Sequence, residues 1–339
     1  MLEHGGRLRK AAQQYGIPLA EWLDLSTGIS PWPWALPSVP AATWMRLPED
    51  RDGLEAAARR YYGLEKLHGA EKLLPLPGSQ AAIQLLPRLR RPGKVGVVSP
   101  CYAEHAESWR AAGHILREVS DQEVPHHLER FDVLVVVNPN NPTGRRIEAG
   151  VLLEWHARLQ ERGGWLVVDE AFMDCTPEHS LVPSCASRPG LIVLRSFGKF
   201  FGLAGARLGF AFAEPRLLES LAKLLGPWAV SGPTRWVAQA VLGEFQEQIQ
   251  RRRDLHDASR RLAGLLGEHG FAPQGGTALF QWVVSMRAQA LRDHLARQGI
   301  LVRLFETPGS LRFGLPPDEK GWERLEHGLR TFNQMESLR

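Results

Sequence analysis

Five short apolar runs recur through the middle of the chain, at 95–98, 133–137, 166–168, 191–194 and 208–212. Most are continuous rather than alternating. That pattern predicts strands buried on both faces of a mainly parallel sheet. Amphipathic stretches at 104–112 and 150–162 lie between them and read as helices. From about 73 to 213 the order strand, loop, helix repeats, which predicts a sheet with helices on both sides.

The flanks differ. The first 50 residues are rich in proline and tryptophan (Pro31-Trp32-Pro33-Trp34, Pro37, Pro40, Trp44, Pro48). Such a segment forms neither a long helix nor a central strand. It reads as an extended arm with one short helix at 6–15. A helix at 53–63 ends at Gly63. After the punctuation of Pro227, Gly232 and Pro233, a long helical stretch runs from 234 to about 270, with a break expected near its middle. Short pieces at 278–285, 287–298, 301–305, 311–315 and 318–332 then alternate strand and helix, as in a smaller α+β domain. The predicted organisation is an arm at 1–50 packing with the small domain and the active site, a large domain at 51–228, and a small domain at 229–339.

Composition narrows the class. The chain has 339 residues, 44% hydrophobic and 23% charged, which suits a globular protein with a sizeable core. No apolar run reaches a membrane-spanning length, and no apolar leader opens the chain, so neither a membrane nor a signal peptide is expected. Cys101, Cys175 and Cys185 are too scattered for a disulfide framework or a zinc site, so no metal is expected and the cytoplasm is the expected compartment. The net charge of +4 fits anionic small substrates or nucleic acid. The run Arg251-Arg252-Arg253 has no interleaved aromatics and is followed by Asp254 and Asp257. It reads as a solvated helix face, and no nucleic-acid partner is expected.

Four segments carry candidate chemistry. In Arg195-Ser196-Phe197-Gly198-Lys199-Phe200-Phe201, a rare lysine follows a buried strand among phenylalanines. It is either a surface lysine with a packed stem or a desolvated amine that can form a Schiff base. Ser196 and Arg207 offer a hydroxyl and a guanidinium suited to a phosphate. In Val168-Asp169-Glu170-Ala171-Phe172, the aspartate at a strand end is either a ligand at the open edge of the sheet or a helix N-cap. Asn138-Pro139-Asn140-Asn141-Pro142-Thr143-Gly144 is either a turn or part of a site. Pro77-Gly78-Ser79-Gln80 opens a helix, where phosphate can bind.

In this order the four segments resemble the fold-type I pyridoxal-phosphate enzymes, in the branch that holds the histidinol-phosphate aminotransferases. The resemblance covers nearly the whole chain. Within that branch, His4-Gly5-Gly6 and Leu23-Asp24-Leu25-Ser26-Thr27-Gly28-Ile29-Ser30-Pro31 resemble the threonine-phosphate decarboxylases of cobalamin biosynthesis. The implied fold is a three-layer α/β/α large domain with a mainly parallel sheet, plus a smaller α+β domain. The implied cofactor is pyridoxal 5'-phosphate. By that resemblance Lys199 holds it covalently and Asp169 pairs with its ring nitrogen. Asn141 meets the ring hydroxyl and faces the substrate, and Tyr102 stacks on the ring. Gly78, Ser79, Gln80, Ser196 and Arg207 cradle the phosphate. Arg312 meets the substrate carboxylate, and His4, Gly28 and Ile29 close over the substrate.

Three positions depart from the family pattern. Phe172 stands where a tyrosine is usual, Leu47 where another tyrosine reaches the neighbouring subunit's cofactor, and Gly198 where serine or threonine commonly precedes the lysine. The implied activity is decarboxylation of L-threonine O-3-phosphate by a cytoplasmic homodimer. The alternatives are an aminotransferase of the histidinol-phosphate type and a non-catalytic relative that has kept the fold.

Overall fold

All five apolar runs form strands in the computed structural model, which describes residues 4–65 and 73–338. In chain order the strands are β1 (Leu23–Leu25), β2 (Leu73–Leu76), β3 (Lys94–Val98), β4 (Ile115–Val119), β5 (Val133–Val137), β6 (Trp165–Asp169), β7 (Leu191–Ser196), β8 (Gly209–Phe212), β9 (Gly275–Thr277), β10 (Phe280–Val284), β11 (Ile300–Phe305) and β12 (Ser310–Gly314). Contacts divide the chain into two compact units. The larger holds Trp34–Asn141 and Arg145–Ile249. The smaller holds the N-terminal segment through Pro33, Pro142–Gly144, and the chain from Gln250 onward.

The larger unit is built on a seven-stranded sheet in the order β2-β8-β7-β6-β5-β3-β4. Strands β4, β3, β5, β6 and β7 are parallel, and β8 runs antiparallel between β7 and β2. Every residue of β5 and β7 is buried, which is why their sequences show no polar alternation. On one face Val95, Val133, Val135, Val167 and Ile192 pack with Trp109, Leu217 and Leu221. The register sets Leu76 beside Gly209 and Gly209 beside Ser196. It also sets Val137 beside Asp169 and Asp169 beside Leu194. The ends of β2, β5, β6 and β7 and the start of β8 therefore share one edge.

The smaller unit has a five-stranded sheet in the order β1-β11-β12-β10-β9. Strand β1 joins β11 in parallel, and the other pairs are antiparallel. The helices Ala288–Arg297 and Glu319–Ser337 pack with each other, and the first of them lies against β11 and β12.

Several boundaries differ from the sequence expectation. The arm is not wholly extended: β1 lies within it as an edge strand, and a short helix covers Ala42–Met45. The long helical stretch is broken as expected, but nearer its start than its middle, into Gly232–Leu242 and Phe245–Glu268. Gln248 makes the break, its Nε2 donating to the carbonyls of Val241 (3.0 Å) and Leu242 (3.2 Å). Those carbonyls would otherwise accept from the next turn of a continuous helix. The first of the two helices packs on Leu54–Tyr61, so it belongs to the larger unit, and the division falls at 249/250 rather than near 229. Strands β4 and β9 carry no continuous apolar run; both are edge strands, and Ile115 in β4 is 68% exposed.

Candidate active site

Asp169 is the last residue of β6 and is 3% exposed. Its Oδ2 lies 2.9 Å from Nε2 of His105, which is itself 1% exposed, and its Oδ1 accepts from the Ala171 N–H at 3.0 Å. The two bonds fix the position of the Asp169 carboxyl at a buried strand end. The bond to Ala171 closes a local turn, and the chain then enters a short 3₁₀ turn at Met173–Cys175 instead of an α-helix. The N-cap reading is therefore only partly realised.

Lys199 lies in the short helix Phe197–Phe200, directly after β7. Phe197, Phe200 and Phe201 are fully buried and pack with one another, and Trp34 packs with the last two. Lys199 itself is half-buried, and its Nζ lies 5.9 Å from the centre of the Phe172 ring. That is within range of a cation–π contact. Phe172 thus meets the amine with a ring face where a tyrosine would add a hydroxyl. Gly198 has a packing reason, since a Cβ there would lie 2.7 Å from Cα of Ala204. A serine before the lysine would collide with backbone.

Around the same edge, Gly78 precedes the helix Ser79–Leu85 with φ +79°, and a Cβ on it would lie 2.6 Å from Nη2 of Arg207. Arg207 holds a left-handed backbone at φ +51°. Such a conformation in a non-glycine residue is uncommon and often marks a functional turn. Ser196 is the final residue of β7. The result is a cradle of backbone, hydroxyl and guanidinium at the end of three adjacent strands. Tyr102 follows β3. Its hydroxyl donates to Oε1 of Gln80 (3.1 Å), and Gln80 donates in turn to Glu104 (3.0 Å). Burial, helped by Glu104 and Asp169, pushes the Tyr102 phenol up to about 12, so it stays protonated. In the asparagine loop, Asn138 bonds both the N–H and the carbonyl of Ile147, and Asn140 donates to the Pro100 carbonyl. These two asparagines shape the loop that carries the half-buried Asn141.

The larger unit thus brings Gly78, Ser79, Gln80, Tyr102, Asn141, Asp169, Ser196, Lys199 and Arg207 to strand ends on one edge of one sheet. His4, Gly28, Ile29 and Arg312 belong to the smaller unit. There Arg312, in β12, donates to the Ser26 carbonyl at 2.8 Å. Burial, with Arg303 adding to it, brings the Arg312 guanidinium down to about 10.

Sequence reasoning missed His105 and Arg195. His105 follows Tyr102 at a three-residue spacing, which was the available signal. Arg195, in β7, is fully buried and bonds Glu170 (3.1 Å), Asp174 (2.5 Å) and Ser180 (3.0 Å). It ties the chain after Asp169 to the strand leading into Lys199.

The donor set fits pyridoxal 5'-phosphate: an amine after one strand, a buried carboxylate at the end of the next, an aromatic ring, and a cradle suited to a phosphate. Sheet order and these strand ends define the architecture of the fold-type I pyridoxal-phosphate enzymes. A family model for aminotransferase class I and II matches residues 49–326, and the chain belongs to that family. It is 64% identical over 334 residues to a threonine-phosphate decarboxylase of Pseudomonas aeruginosa, covering 98% of this chain and 99% of that protein. It is 43% identical to a threonine-phosphate decarboxylase of Sinorhizobium, covering 96% and 97%. Among solved structures, a histidinol-phosphate aminotransferase from Sinorhizobium meliloti, in complex with pyridoxal-5'-phosphate, superposes with a TM-score of 0.83 at 23% identity, covering 100% of this chain and 96% of that one.

Proposed function

We propose that the chain is a pyridoxal-phosphate-dependent carboxy-lyase of cobalamin biosynthesis. It converts L-threonine O-3-phosphate to (R)-1-aminopropan-2-yl phosphate and CO₂. The observation that carries this reading is the near-full-length identity of 64% to a threonine-phosphate decarboxylase. The positions of Asp169 and Lys199 at the ends of neighbouring parallel strands support it.

When bound, the cofactor supplies an electron sink for the pair left at Cα as a bond breaks. Lys199 would hold the cofactor and would supply the proton that Cα takes up when the carboxylate leaves. Asp169 would pair with the ring nitrogen, and His105 and the Ala171 N–H hold Asp169 in place. Tyr102 would pack on the ring, and Asn141 would bond the ring hydroxyl. Gly78, Ser79, Gln80, Ser196 and Arg207 would hold the cofactor phosphate. Arg312 takes the substrate carboxylate, with His4, Gly28 and Ile29 around the substrate. Binding energy from the substrate's phosphate fixes the torsion that sets its carboxylate for loss.

We place the enzyme in the cytoplasm as a homodimer. Cys101, Cys175 and Cys185 form no disulfide, and among the described residues no helix is long and apolar enough to cross a membrane. Leu36, Trp44, Met45 and Leu47 leave apolar side chains exposed on the larger unit, as a subunit interface would.

The test is direct. The purified chain mixed with pyridoxal phosphate should show a visible absorption band that Lys199→Ala abolishes. With threonine phosphate it should release CO₂ with no keto acid added, and Asp169→Asn should cut that rate by about 10² or more. A keto-acid requirement would mean an aminotransferase. An unchanged band in Lys199→Ala would remove the lysine from its role.

A further inference from the structure

The break between the helices Gly232–Leu242 and Phe245–Glu268 leaves Glu244 outside both of them. Its half-buried side chain meets a tryptophan that is 3% exposed: Nε1 of Trp34 donates to Oε2 of Glu244 at 2.7 Å. The same tryptophan holds the turn that carries Lys199. Its backbone N–H donates to the Phe201 carbonyl at 2.9 Å, just past the helix Phe197–Phe200. Its ring meets Phe201 edge-on, with centroids 5.1 Å apart, and lies 6.1 Å from the ring of Phe200. These two phenylalanines directly follow Lys199 in the chain.

Phe201 is the hub of this packing. It stacks on Phe197 at 4.6 Å and lies edge-on to Phe200 at 5.0 Å. Tyr61 lies 5.7 Å from it, and the Tyr61 hydroxyl donates to Asp174 at 3.0 Å, one of the two acids that Arg195 binds. The lysine thus has one brace ahead of it, through Arg195 in β7, and one behind it, through Trp34. A helix of four residues is barely one turn and has little stiffness of its own. What packs on Phe200 and Phe201 therefore sets the place of Lys199. Close-packed rings pass a displacement on instead of absorbing it. The indole fills its place with a ring and also has its tilt fixed by the N–H that Glu244 accepts.

We propose that Trp34 is a positioning residue for Lys199, held at its angle by Glu244. The inference rests on Lys199 as the residue that holds the cofactor, not on which substrate is turned over. A reacting group misplaced by about 1 Å can lose about a hundredfold in rate. A small tilt of this turn therefore lowers turnover while leaving substrate binding alone. It also alters the surroundings of the Lys199 nitrogen, and with them the pH at which the visible band of the cofactor-loaded chain changes.

The test uses the chain loaded with pyridoxal phosphate. It reads the pH midpoint of the visible band, kcat and KM for threonine phosphate, and the melting temperature. Glu244→Ala removes the acceptor from a half-buried residue outside both helices. Trp34→Phe keeps a ring and removes the N–H. Each should move the band midpoint by about 0.5 in pH or more and lower kcat about three- to tenfold, with KM within about twofold. Glu244→Gln keeps an oxygen that accepts from the indole and should restore both. Glu129→Gln, which weakens exposed ion pairs with Arg158 and Arg162, should change neither.

Shifted midpoints that Glu244→Gln reverses support the proposal. An unchanged midpoint in Glu244→Ala and Trp34→Phe overturns it whatever the melting temperature, since Trp34 would then only fill the core. A shift that Glu244→Gln leaves in place assigns the effect to charge and overturns the role given to Glu244. Should Trp34→Phe fail to fold, Glu244→Ala decides alone. Failure of the proposed reaction looks different. No CO₂ from threonine phosphate, with the midpoint shifts intact, would remove the substrate and leave the brace standing. A visible band that survives Lys199→Ala would remove the lysine on which both rest.

Discussion

Arg195 ties the chain that follows Asp169 to the strand that leads into Lys199. It is buried with two carboxylates, Glu170 and Asp174, and its guanidinium lies 4.7 Å from the centre of the Tyr62 ring. Burial raises the Glu170 carboxyl, and Arg195 offsets part of that rise. Replacing one partner of such a cluster leaves buried charge uncompensated, at a cost of about 3–5 kcal/mol. Arg195→Met should therefore lower stability by that amount in urea unfolding at neutral pH. Glu170 sets the sign with pH. A carboxyl raised above its ordinary 4.5 on folding contributes no penalty below that value and loses stability as pH rises through its folded value. Removing the arginine enlarges the rise, so the deficit of Arg195→Met should be smaller near pH 4.5 than at pH 8. A deficit independent of pH would contradict this account. At this scale Lys199 and Asp169 were legible, because each follows a buried run and the motif spacing is local. Arg195 and His105 were not. Asp169 lies 64 positions from His105, and Asp174 lies 21 from Arg195. Each looks ordinary until the chain folds.

Among the elements, the long apolar strands were readable because burial on both faces removes the polar alternation that would disguise them. Helix ends were less so. A break within 234–270 was expected from the sequence, but its place was not: the first helix stops at Leu242, and the side chain of Gln248 folds back on the carbonyls of Val241 and Leu242 there. The helix Gly232–Leu242 is held to Leu54–Tyr61 and the turn before it by Arg235, which is 5% exposed. Its Nε and Nη2 both bond Asp52 at 2.7 Å, and Nη2 also bonds Glu55 at 2.7 Å. Burial alone would raise the Asp52 carboxyl, but Arg235 and the Leu54 N–H outweigh it and hold it below the usual 3.8. Charged hydrogen bonds of this kind contribute about 1.5–3 kcal/mol, and partial exposure of both carboxylates favours the lower end. Arg235→Met should be destabilised by about that amount at pH 7. Since a depressed carboxyl gives stability above its unfolded value and loses it as pH falls through its folded one, the gap should narrow below about pH 4. Chemical denaturation at several pH values measures it.

At the level of the whole molecule, the exposed apolar side chains on the larger unit are the main unfinished surface. Trp44 is 71% exposed and Met45 85%. Both lie in the helix Ala42–Met45, which packs on Gly232–Leu242 through close backbone approach of Thr43 to Gly232. A rigid, backbone-anchored helix that presents tryptophan and methionine to solvent suits association with a second copy. Light scattering should give twice the mass of 37.9 kDa, and Met45→Glu with Trp44→Glu should shift it toward the monomer. A wild-type monomer would remove the dimer from the proposal. The residue usually found as a tyrosine near this surface is Leu47, 61% exposed, so any cross-subunit contact it makes is apolar.

The amino-acid order alone settled the alternation of strand and helix, the residue types at the strand ends and the family those motifs resemble. Each of these depends on neighbours within a few positions, where backbone preference and burial pattern act directly. Folding decided the rest. It alone set Asp169 against His105 and bound Arg195 to two acids. It stopped a helix at Leu242, left no room for a Cβ at Gly198 beside Ala204, and gathered Arg7, Lys10, Arg292 and Arg303 around one pocket. Those outcomes depend on distance in space between positions remote in the chain. Coulomb attraction, hydrogen bonding and hard-core contact act over a few ångströms, however many residues separate the partners.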